Sequence, residues 1–342
     1  MGTQGNGALL DVRGLAVSFD GRSGAPARAL RGVDLGMAPG EIRGLVGESG
    51  SGKTVTSTCL MGLLPSPPAR IDAGEILFKG RNLLGLSAEE RRRVRGREIA
   101  MVFQEPSRYL NPAFKIGTQI TEMLGLHLGM GKAEARAKAE ELAGLVGLGG
   151  GRRVLASYPH ELSGGMKQRA MIAMAISCNP SLLIADEPTT ALDVTLQLQI
   201  LRLILRLREG LGMGILFISH DLRLVRIVAD TVSVIYAGRI VESAPREALF
   251  GSPLHPYTRL LLQSIPLANK RGSRLRAIPG RVPDAQAVPA GCAFHPRCPL
   301  AEERCSSEMP ESTEHAAGHA ADRHAADRHA VACHFVGKTW PD

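Results

Sequence analysis

Long apolar runs and aromatic side chains are both scarce in this chain of 342 residues. No apolar run approaches the roughly 18 residues that a membrane-spanning helix needs, so an integral membrane protein is excluded. Aromatic residues make up only 4% of the chain, which argues against a surface on which nucleic-acid bases stack. The N-terminus lacks a basic start followed by an apolar segment, so we expect no secretory signal and a cytoplasmic chain.

The composition that is present favours a globular protein. Apolar residues account for 44% of the chain and charged residues for 22%, enough core-forming material for two or three domains. The net charge of +8 is compatible with nucleic acid or anionic lipid as a partner. The basic residues are dispersed, however, which favours a solvated surface together with a phosphate site.

Short apolar stretches of strand length alternate with helical patterns along most of the chain. The strands are predicted at 9–20, 41–46, 75–78, 99–103, 182–185, 215–219 and 232–236. This alternation predicts an α/β fold with a largely parallel sheet covered on both faces. Residues 105–165 interrupt the alternation and are predicted to form a helical insertion. Regular periodicity fades near residue 249, which places a domain boundary at about 248–255.

The sequence GESGSGKT at 47–54 fits the phosphate-loop pattern G-x-x-x-x-G-K-[ST] between a predicted strand and a predicted helix. Glycines allow backbone N–H groups to close around the phosphates of a nucleotide, and the following helix directs its positive end at them. The lysine adds a point charge, and the threonine hydroxyl can bind Mg²⁺. The predicted phosphate-binding residues are Gly47, Ser49, Gly50, Ser51, Gly52, Lys53 and Thr54.

The sequence LLIADE at 182–187 is an apolar strand that ends in two carboxylates. In phosphate-loop enzymes a carboxylate at a strand end suits Mg²⁺ or a water bound to it, and we assign that part to Asp186. Its neighbour Glu187 is positioned to polarise an attacking water. The chain is therefore predicted to hydrolyse a nucleoside triphosphate.

The sequence LSGGMKQR at 162–169 predicts a second anion site at a helix N-terminus. The residues concerned are Ser163, Gly164, Gly165 and Gln168. One chain does not need two such sites for one nucleotide, but a dimer does, if each signature faces the partner's phosphate loop. These motifs together resemble an ATP-binding cassette (ABC) ATPase, and the resemblance covers about residues 9–245. It implies a phosphate-loop, RecA-like core with the helical insertion as a subdomain.

The resemblance also assigns roles to residues that the pattern alone does not single out. Gln104, in VFQEP, matches the Q-loop glutamine that binds Mg²⁺ and senses the nucleotide. Asp193, in ALD at 191–193, matches the D-loop, and His220, in ISHD, matches the switch histidine at the γ-phosphate. Phe19 matches the aromatic residue that stacks on adenine. The implied catalytic residues are Lys53, Gln104, Glu187 and His220, with Thr54, Gln104 and Asp186 as the Mg²⁺ ligands.

The C-terminal region resembles the ATP-binding subunits of oligopeptide, dipeptide and nickel importers. The segments that carry this resemblance are SPLHPYTRLLLQSIP at 252–266, GCAFHPRCPLAEERC at 291–305 and VACH at 331–334. It implies an ABC nucleotide-binding domain at 1–248 and a transporter-type C-terminal region at 249–342. It also implies a second, different ATPase as heterodimer partner, two membrane permeases, an extracytoplasmic solute-binding protein and a place at the cytoplasmic face of the bacterial inner membrane.

Four of the six cysteines lie in this C-terminal region, with the spacing C-x5-C-x6-C-x27-C. Four thiolates can hold Zn²⁺ or an iron–sulfur cluster, and the wide gaps leave reduced thiols or a disulfide open as well. The family resemblance favours a [4Fe–4S] cluster on Cys292, Cys298, Cys305 and Cys333. His295 and His334 are adjacent alternative ligands, whereas Cys59 and Cys178 are predicted to be inert core residues.

Three other functions are each compatible with part of the sequence. The same chain type could drive the import of nickel or another small solute. A soluble ABC ATPase acting on nucleic acid would fit the positive charge, but nucleic acid is not the expected partner. A metal-binding scaffold with a decayed ATPase is disfavoured by the intact Lys53, Asp186, Glu187 and His220.

Overall fold

The secondary structure alternates strands and helices, in agreement with the predicted α/β class. The computed structural model describes residues 7–21, 26–190, 192–265, 278–316 and 328–338. Its strands are β1 (Leu10–Phe19), β2 (Ala27–Met37), β3 (Ile42–Val46), β4 (Ala69–Phe78), β5 (Arg81–Asn82), β6 (Ile99–Val102), β7 (Leu182–Asp186), β8 (Gly214–Ser219), β9 (Thr231–Tyr236), β10 (Arg239–Pro245), β11 (Thr313–Ala316) and β12 (Arg328–Val331). Its helices are α1 (Lys53–Leu60), α2 (Ala88–Val94), α3 (Pro106–Tyr109), α4 (Ile116–Leu128), α5 (Lys132–Leu145), α6 (Gly151–Leu155), α7 (Gly164–Ile176), α8 (Val194–Leu211), α9 (Leu222–Val228), α10 (Arg246–Gly251), α11 (Pro256–Gln263) and α12 (Glu303–Ser307).

The chain folds as two compact units that each collect several segments of the sequence. The first unit comprises 83–218 with short pieces up to residue 9 and at 38–41, and the second comprises 10–37, 42–82 and the chain from 219 onward. The predicted boundary at 248–255 spans the turn between α10 and α11. The units are not divided there, so that boundary stays a prediction.

The first unit contains three parallel strands, β6, β7 and β8, in which β7 lies between the other two. All residues of β6, β7 and β8 are buried. Such continuous apolar strands are typical of a parallel sheet that is covered on both faces. Helix α8 is amphipathic, because Ile200, Leu203, Ile204 and Leu207 recur at the spacing of one helix face and are buried.

The predicted helical insertion is confirmed as a helical segment. Helices α4, α5, α6 and α7 pack on one another within the first unit. Residues 116–145 of this segment are divided between α4 and α5. Gly129 takes the left-handed conformation that ends α4 (φ 67°), a break that the helical composition of the stretch conceals.

The second unit contains strands that the sequence did not predict. Strand β3 pairs in parallel with β9, but β10, β12 and β11 continue that arrangement in antiparallel pairs. A separate antiparallel sheet has the order β2-β1-β4-β5. Strands β2, β5, β10, β11 and β12 were not predicted, and β4 is longer than expected. The sheet content is therefore less parallel than the alternation of strands and helices indicated.

No helix in the described part of the chain is long and apolar enough to cross a membrane. Cys59 and Cys178 are buried, as predicted for core residues. Burial raises the pKa of the Cys59 thiol to about 11, which keeps it protonated and unreactive near neutral pH.

Candidate functional site

The predicted site residues divide between the two units. The phosphate loop, Phe19, His220 and the four C-terminal cysteines belong to the second unit. The first unit carries Gln104, the LSGG signature, Asp186, Glu187 and Asp193.

The phosphate loop connects the buried strand β3 to helix α1. No side chain caps α1, which leaves its first N–H groups available to an anion. The buried Lys53 Nζ donates hydrogen bonds to the carbonyl oxygens of Gly47 (2.8 Å) and Glu48 (3.0 Å). The loop therefore holds its lysine charge at the N-terminal end of the helix, the arrangement that a triphosphate requires.

Two glycines of the loop are required by its geometry. A Cβ on Gly47 would lie 2.3 Å from the carbonyl oxygen of Ile235, so any side chain would displace the neighbouring strand β9. Gly52 has a φ of 111°, which L side chains rarely adopt. Between them, Ser51 is fully buried, and its Oγ has no hydrogen-bond partner within the described residues. The loop's shape thus depends on the glycines of the motif.

Glu48, a position that the motif leaves unspecified, is anchored by the C-terminal region. Its N–H donates to the Tyr257 Oη at 2.9 Å. Its carboxylate accepts two hydrogen bonds from the Arg297 guanidinium, at 2.7 and 3.0 Å. No sequence motif indicated these contacts, because they join residues more than 200 positions apart.

The carboxylate pair at the end of β7 has the expected placement. Asp186 is 5% exposed at the end of the strand. Glu187 has a positive φ of 47°, an uncommon conformation for a non-glycine residue. Its Oε2 accepts hydrogen bonds from Gln104 Nε2 (3.0 Å) and Thr190 Oγ1 (2.9 Å). Two of the predicted residues, Gln104 and Glu187, are thus in direct contact, and Thr190 is a partner that the sequence did not reveal.

The signature begins helix α7, as predicted. Ser163 caps the helix by accepting a hydrogen bond from the Met166 N–H. Gly164 is exposed, whereas Gly165 is buried close to the Leu196 side chain. Gln168 is 2% exposed, and its Nε2 has no partner among the residues that the structure describes. The exposed serine and glycine at the start of α7 leave a helix N-terminus open to an anion.

The remaining predicted residues lie at the ends of regular elements. Asp193 caps α8 through a 2.9 Å hydrogen bond from the Leu196 N–H, whereas Ala191 of the same motif lies outside the described residues. The exposed His220 directly follows β8, and Phe19 ends β1 half-buried. These positions are compatible with the predicted roles, which stay predictions.

The four C-terminal cysteines surround one small cavity of about 10 Å³, here called the cysteine cavity. That volume is of the order that holds one water molecule. The part of the chain that the structure describes contains no group of three or more His, Cys, Asp or Glu side chains that could hold a metal ion. The four thiols thus line one cavity, but the described residues give no support to the predicted metal site. The cavity is lined by Cys292, Cys298, Cys305 and Cys333 together with His255, Phe294, His295 and His334.

Two family models match the chain. One is described as ABC transporter and matches residues 30–190, and the other is described as oligopeptide/dipeptide transporter, C-terminal region, and matches residues 241–305. The oligopeptide transport ATP-binding protein AppD of Bacillus subtilis is 47% identical over 91% of this chain and 94% of its own length. The chain belongs to this family of ABC transporter ATP-binding proteins.

Other relatives agree with that membership. The dipeptide transport ATP-binding protein DppD of Escherichia coli is 46% identical over 89% of this chain and 92% of its own length. A bacterial ABC transporter cassette solved as a dimer has a TM-score of 0.62 and 25% identity, covering 69% of this chain and 98% of the cassette. The chain is thus an ABC ATPase that binds ATP with Mg²⁺, as the motifs predicted.

Proposed function

We propose that this chain is the ATP-hydrolysing subunit that energises a bacterial importer of dipeptides or oligopeptides. The observation that carries the proposal is the match of residues 241–305 to the oligopeptide/dipeptide transporter C-terminal region, downstream of the ABC transporter match at 30–190. Named relatives are oligopeptide and dipeptide transport proteins. The same role for nickel or another small solute is the alternative.

Hydrolysis is an in-line attack of water on the γ-phosphate, and the chain's contribution is positioning and charge neutralisation. Lys53 and the N–H groups of the phosphate loop bind the phosphates, while Phe19 stacks on the adenine. Glu187, held by Gln104 and Thr190, orients and polarises the water. His220 contacts the γ-phosphate.

Mg²⁺ fits the donor set of this chain, because hydroxyl, amide and carboxylate oxygens are the ligands it takes. Thr54, Gln104 and Asp186 are the residues that would hold it. When bound, it neutralises charge on the phosphate oxygens. Thr54 is exposed at the start of α1, and the buried Asp186 ends β7, so both residues lie at the ends of regular elements.

The permease contact is assigned to the helical segment of the first unit. A groove of about 810 Å³ lies among α4, α5 and α6, and we call it the insertion groove. The side chain of Phe114, on the loop before α4, lines it and is half exposed. The groove also carries charges of both signs, and this mixture beside an apolar side chain suits a short amphipathic helix on the cytoplasmic side of a permease. The charged residues are Lys115, Glu122, Lys132, Arg136, Glu140 and Arg152.

The complete importer on this proposal has two different ATPases beneath two permeases, fed by an extracytoplasmic solute-binding protein. The LSGG signature of each ATPase then serves the partner's phosphate loop. The chain lies at the cytoplasmic face of the inner membrane as a peripheral subunit.

The cysteine group is proposed to hold a [4Fe–4S] cluster, with Zn²⁺ as the alternative. Four cysteines around one cavity supply the donor set of such a cluster. Anaerobic purification followed by measurement of iron, zinc and acid-labile sulfide tests this. About four iron and four sulfide per chain would support the cluster. A protein that contains neither iron nor zinc would contradict it.

Purification of the tagged full chain from detergent-solubilised membranes of its native host tests the transport role. We expect two permeases and a second ATPase to co-purify. Cells carrying Lys53→Ala should lose uptake of a radiolabelled dipeptide or tripeptide. Loss of nickel uptake alone would select the alternative substrate. Salt-sensitive binding to DNA or RNA without permeases would contradict the proposal.

A further inference from the structure

The phosphate loop and the cysteine group are joined by a short chain of contacts within the second unit. Glu48 is its central residue. Its carbonyl oxygen accepts the hydrogen bond from Lys53 Nζ, its N–H donates to Tyr257, and its carboxylate accepts from Arg297. The backbone atoms that place the loop lysine are thus fixed by two side chains of the C-terminal region.

Several contacts hold the Arg297 side chain in one position, and we call this residue the strut between the cysteine group and Glu48. Its side chain is 5% exposed and forms an ion pair with Glu48 at 2.7 Å. Its Nε donates to the Pro279 carbonyl at 2.7 Å, and its guanidinium lies 5.7 Å from the ring centroid of Tyr236. Burial lowers the pKa of Arg297, but the hydrogen bonds to Glu48 and Tyr236 outweigh this and raise it, so the charge is permanent.

The turn that presents Arg297 begins and ends at cysteines of the cysteine cavity. The Cys292 carbonyl oxygen accepts the His295 N–H at 3.0 Å, and the His295 carbonyl oxygen accepts the Cys298 N–H at 3.2 Å. The Cys292 N–H in turn donates to the Cys305 carbonyl at 2.8 Å. A displacement of these cysteines therefore moves the backbone on both sides of Arg297.

Tyr257 is a second connection between the cysteine cavity and the phosphate loop. It follows His255, which lines the cysteine cavity and accepts the Tyr257 N–H at Nδ1 (3.0 Å). The Tyr257 ring packs against Tyr236 and Phe294 at centroid distances of 4.6 and 5.3 Å. Both residues that hold Glu48 are thus buried among side chains next to the cysteine cavity.

We propose that Arg297 is a positioning residue for the phosphate loop and that the conformation of the cysteine group sets the ATP affinity through it. When the turn 292–298 is in place, Arg297 and Tyr257 fix Glu48, and Glu48 fixes Lys53. When the turn shifts, the loop loses this support and must order itself on binding the phosphates. The inference rests on the proposed placement of ATP in this loop, and it does not depend on which group occupies the cysteine cavity.

Nucleotide titration of the purified full chain with a fluorescent ATP analogue tests the strut. Arg297→Gln should raise the Kd by about tenfold, the equivalent of about 1.4 kcal/mol. Arg297→Lys should recover only part of the affinity, because lysine keeps the charge but loses the two-pronged hydrogen bond. The matched control is Arg304→Ala, since Arg304 is an exposed arginine of the same region that pairs with Glu308. It should leave the Kd unchanged.

A double-variant cycle tests whether the effect of Arg297 on ATP affinity passes through Glu48. In a Glu48→Ala background, Arg297→Gln should add less than about twofold to the Kd, since its effect passes through Glu48. Cys298→Ser should raise the Kd of the wild-type chain but not that of the Arg297→Gln chain, whereas Cys178→Ser should do neither. Thermal unfolding of each variant identifies a change in Kd that merely follows lost stability. Full additivity, or a wild-type Kd for a folded Arg297→Gln, overturns the inference.

A different result is expected if ATP does not bind to this phosphate loop. Lys53→Ala should abolish binding of the ATP analogue if the loop binds the triphosphate. If Lys53→Ala binds as tightly as wild type, the placement itself is wrong. If Lys53→Ala loses binding and the Arg297 variants do not, the placement stands and the strut is wrong.

Discussion

Glu187 shows how a single residue of the site is made ready for its role. Its positive φ is uncommon for a residue other than glycine or asparagine. Such backbone strain persists only where the surrounding structure holds the residue in place. Here the N–H is bonded to the Ile218 carbonyl at 2.9 Å, and Oε2 is bonded to Gln104 and Thr190. The backbone conformation and both hydrogen bonds thus fix the direction of the Glu187 carboxylate.

Glu187→Gln should therefore stop turnover while leaving ATP bound. The amide retains the size of the side chain but cannot take a proton, so we expect ATP hydrolysis in the assembled transporter to fall by at least about 100-fold. The Kd of the ATP analogue should stay within about twofold of wild type. Glu141→Gln, an exposed acid-to-amide change on α5, is the control and should hydrolyse ATP normally. Turnover near the wild-type rate in Glu187→Gln would remove Glu187 from the mechanism.

At the scale of elements, the sequence predicted the parts whose signal is local. Strands β7 and β8 are continuous apolar runs, and α1 follows a glycine motif. Each of these elements can therefore be predicted from a few neighbouring residues. Strands β2 and β10 carry charged or small residues in half-buried positions, and their pairing depends on distant strands. The contacts of Glu48 with Arg297 and Tyr257 were unpredictable for the same reason, since they join segments more than 200 residues apart.

The hairpin β11–β12 is attached to β10 through a buried carboxylate. Glu242 is fully buried and accepts hydrogen bonds from the Leu254 N–H (2.7 Å), the His255 N–H (3.0 Å) and the His329 ring (2.6 Å). Glu242→Ala would leave these buried donors without partners. We expect it to lower the free energy of unfolding by about 3 kcal/mol.

Urea denaturation measures that loss. Glu247→Ala, on the exposed face of α10, is the matched control and should change the free energy of unfolding by less than about 0.5 kcal/mol. An unchanged midpoint for Glu242→Ala would mean that water replaces the carboxylate. The hairpin would then be attached by backbone pairing alone.

The insertion groove gives a prediction for the contact with a permease. Phe114 is 51% exposed at its rim, and burial of the exposed half of its ring stabilises an interface by roughly 0.8–1.5 kcal/mol. Phe114→Ser should therefore weaken the association with the permeases by about fivefold or more, without changing the Kd for ATP. Leu145→Ser is the control, because Leu145 is 47% exposed at the end of α5 and does not line the groove. Equal association of both variants would place the permease elsewhere.

For the whole molecule, the two predicted anion sites of one chain favour the proposed association between two ATPase chains. Within the first unit, the Ser163 side chain caps the N-terminus of α7. Gly164 is exposed there, and Gly165 packs against Leu196 of α8. The phosphate loop of the second unit already supplies a lysine and an uncapped helix for one triphosphate. A signature with no nucleotide of its own to bind is expected to complete the site of a second ATPase.

Ser163→Arg separates the two sites of the assembled pair. The side chain adds bulk where a γ-phosphate would approach the signature, so the partner ATPase should lose turnover by about 100-fold. The site on this chain's own phosphate loop should keep its Kd for the ATP analogue, since in the proposed pair Ser163 serves the partner's phosphate loop. Titration of the isolated chain and ATP hydrolysis by a pair in which only the partner retains its catalytic glutamate measure the two effects. A weakened Kd in the isolated Ser163→Arg chain would show instead that the signature acts on its own loop.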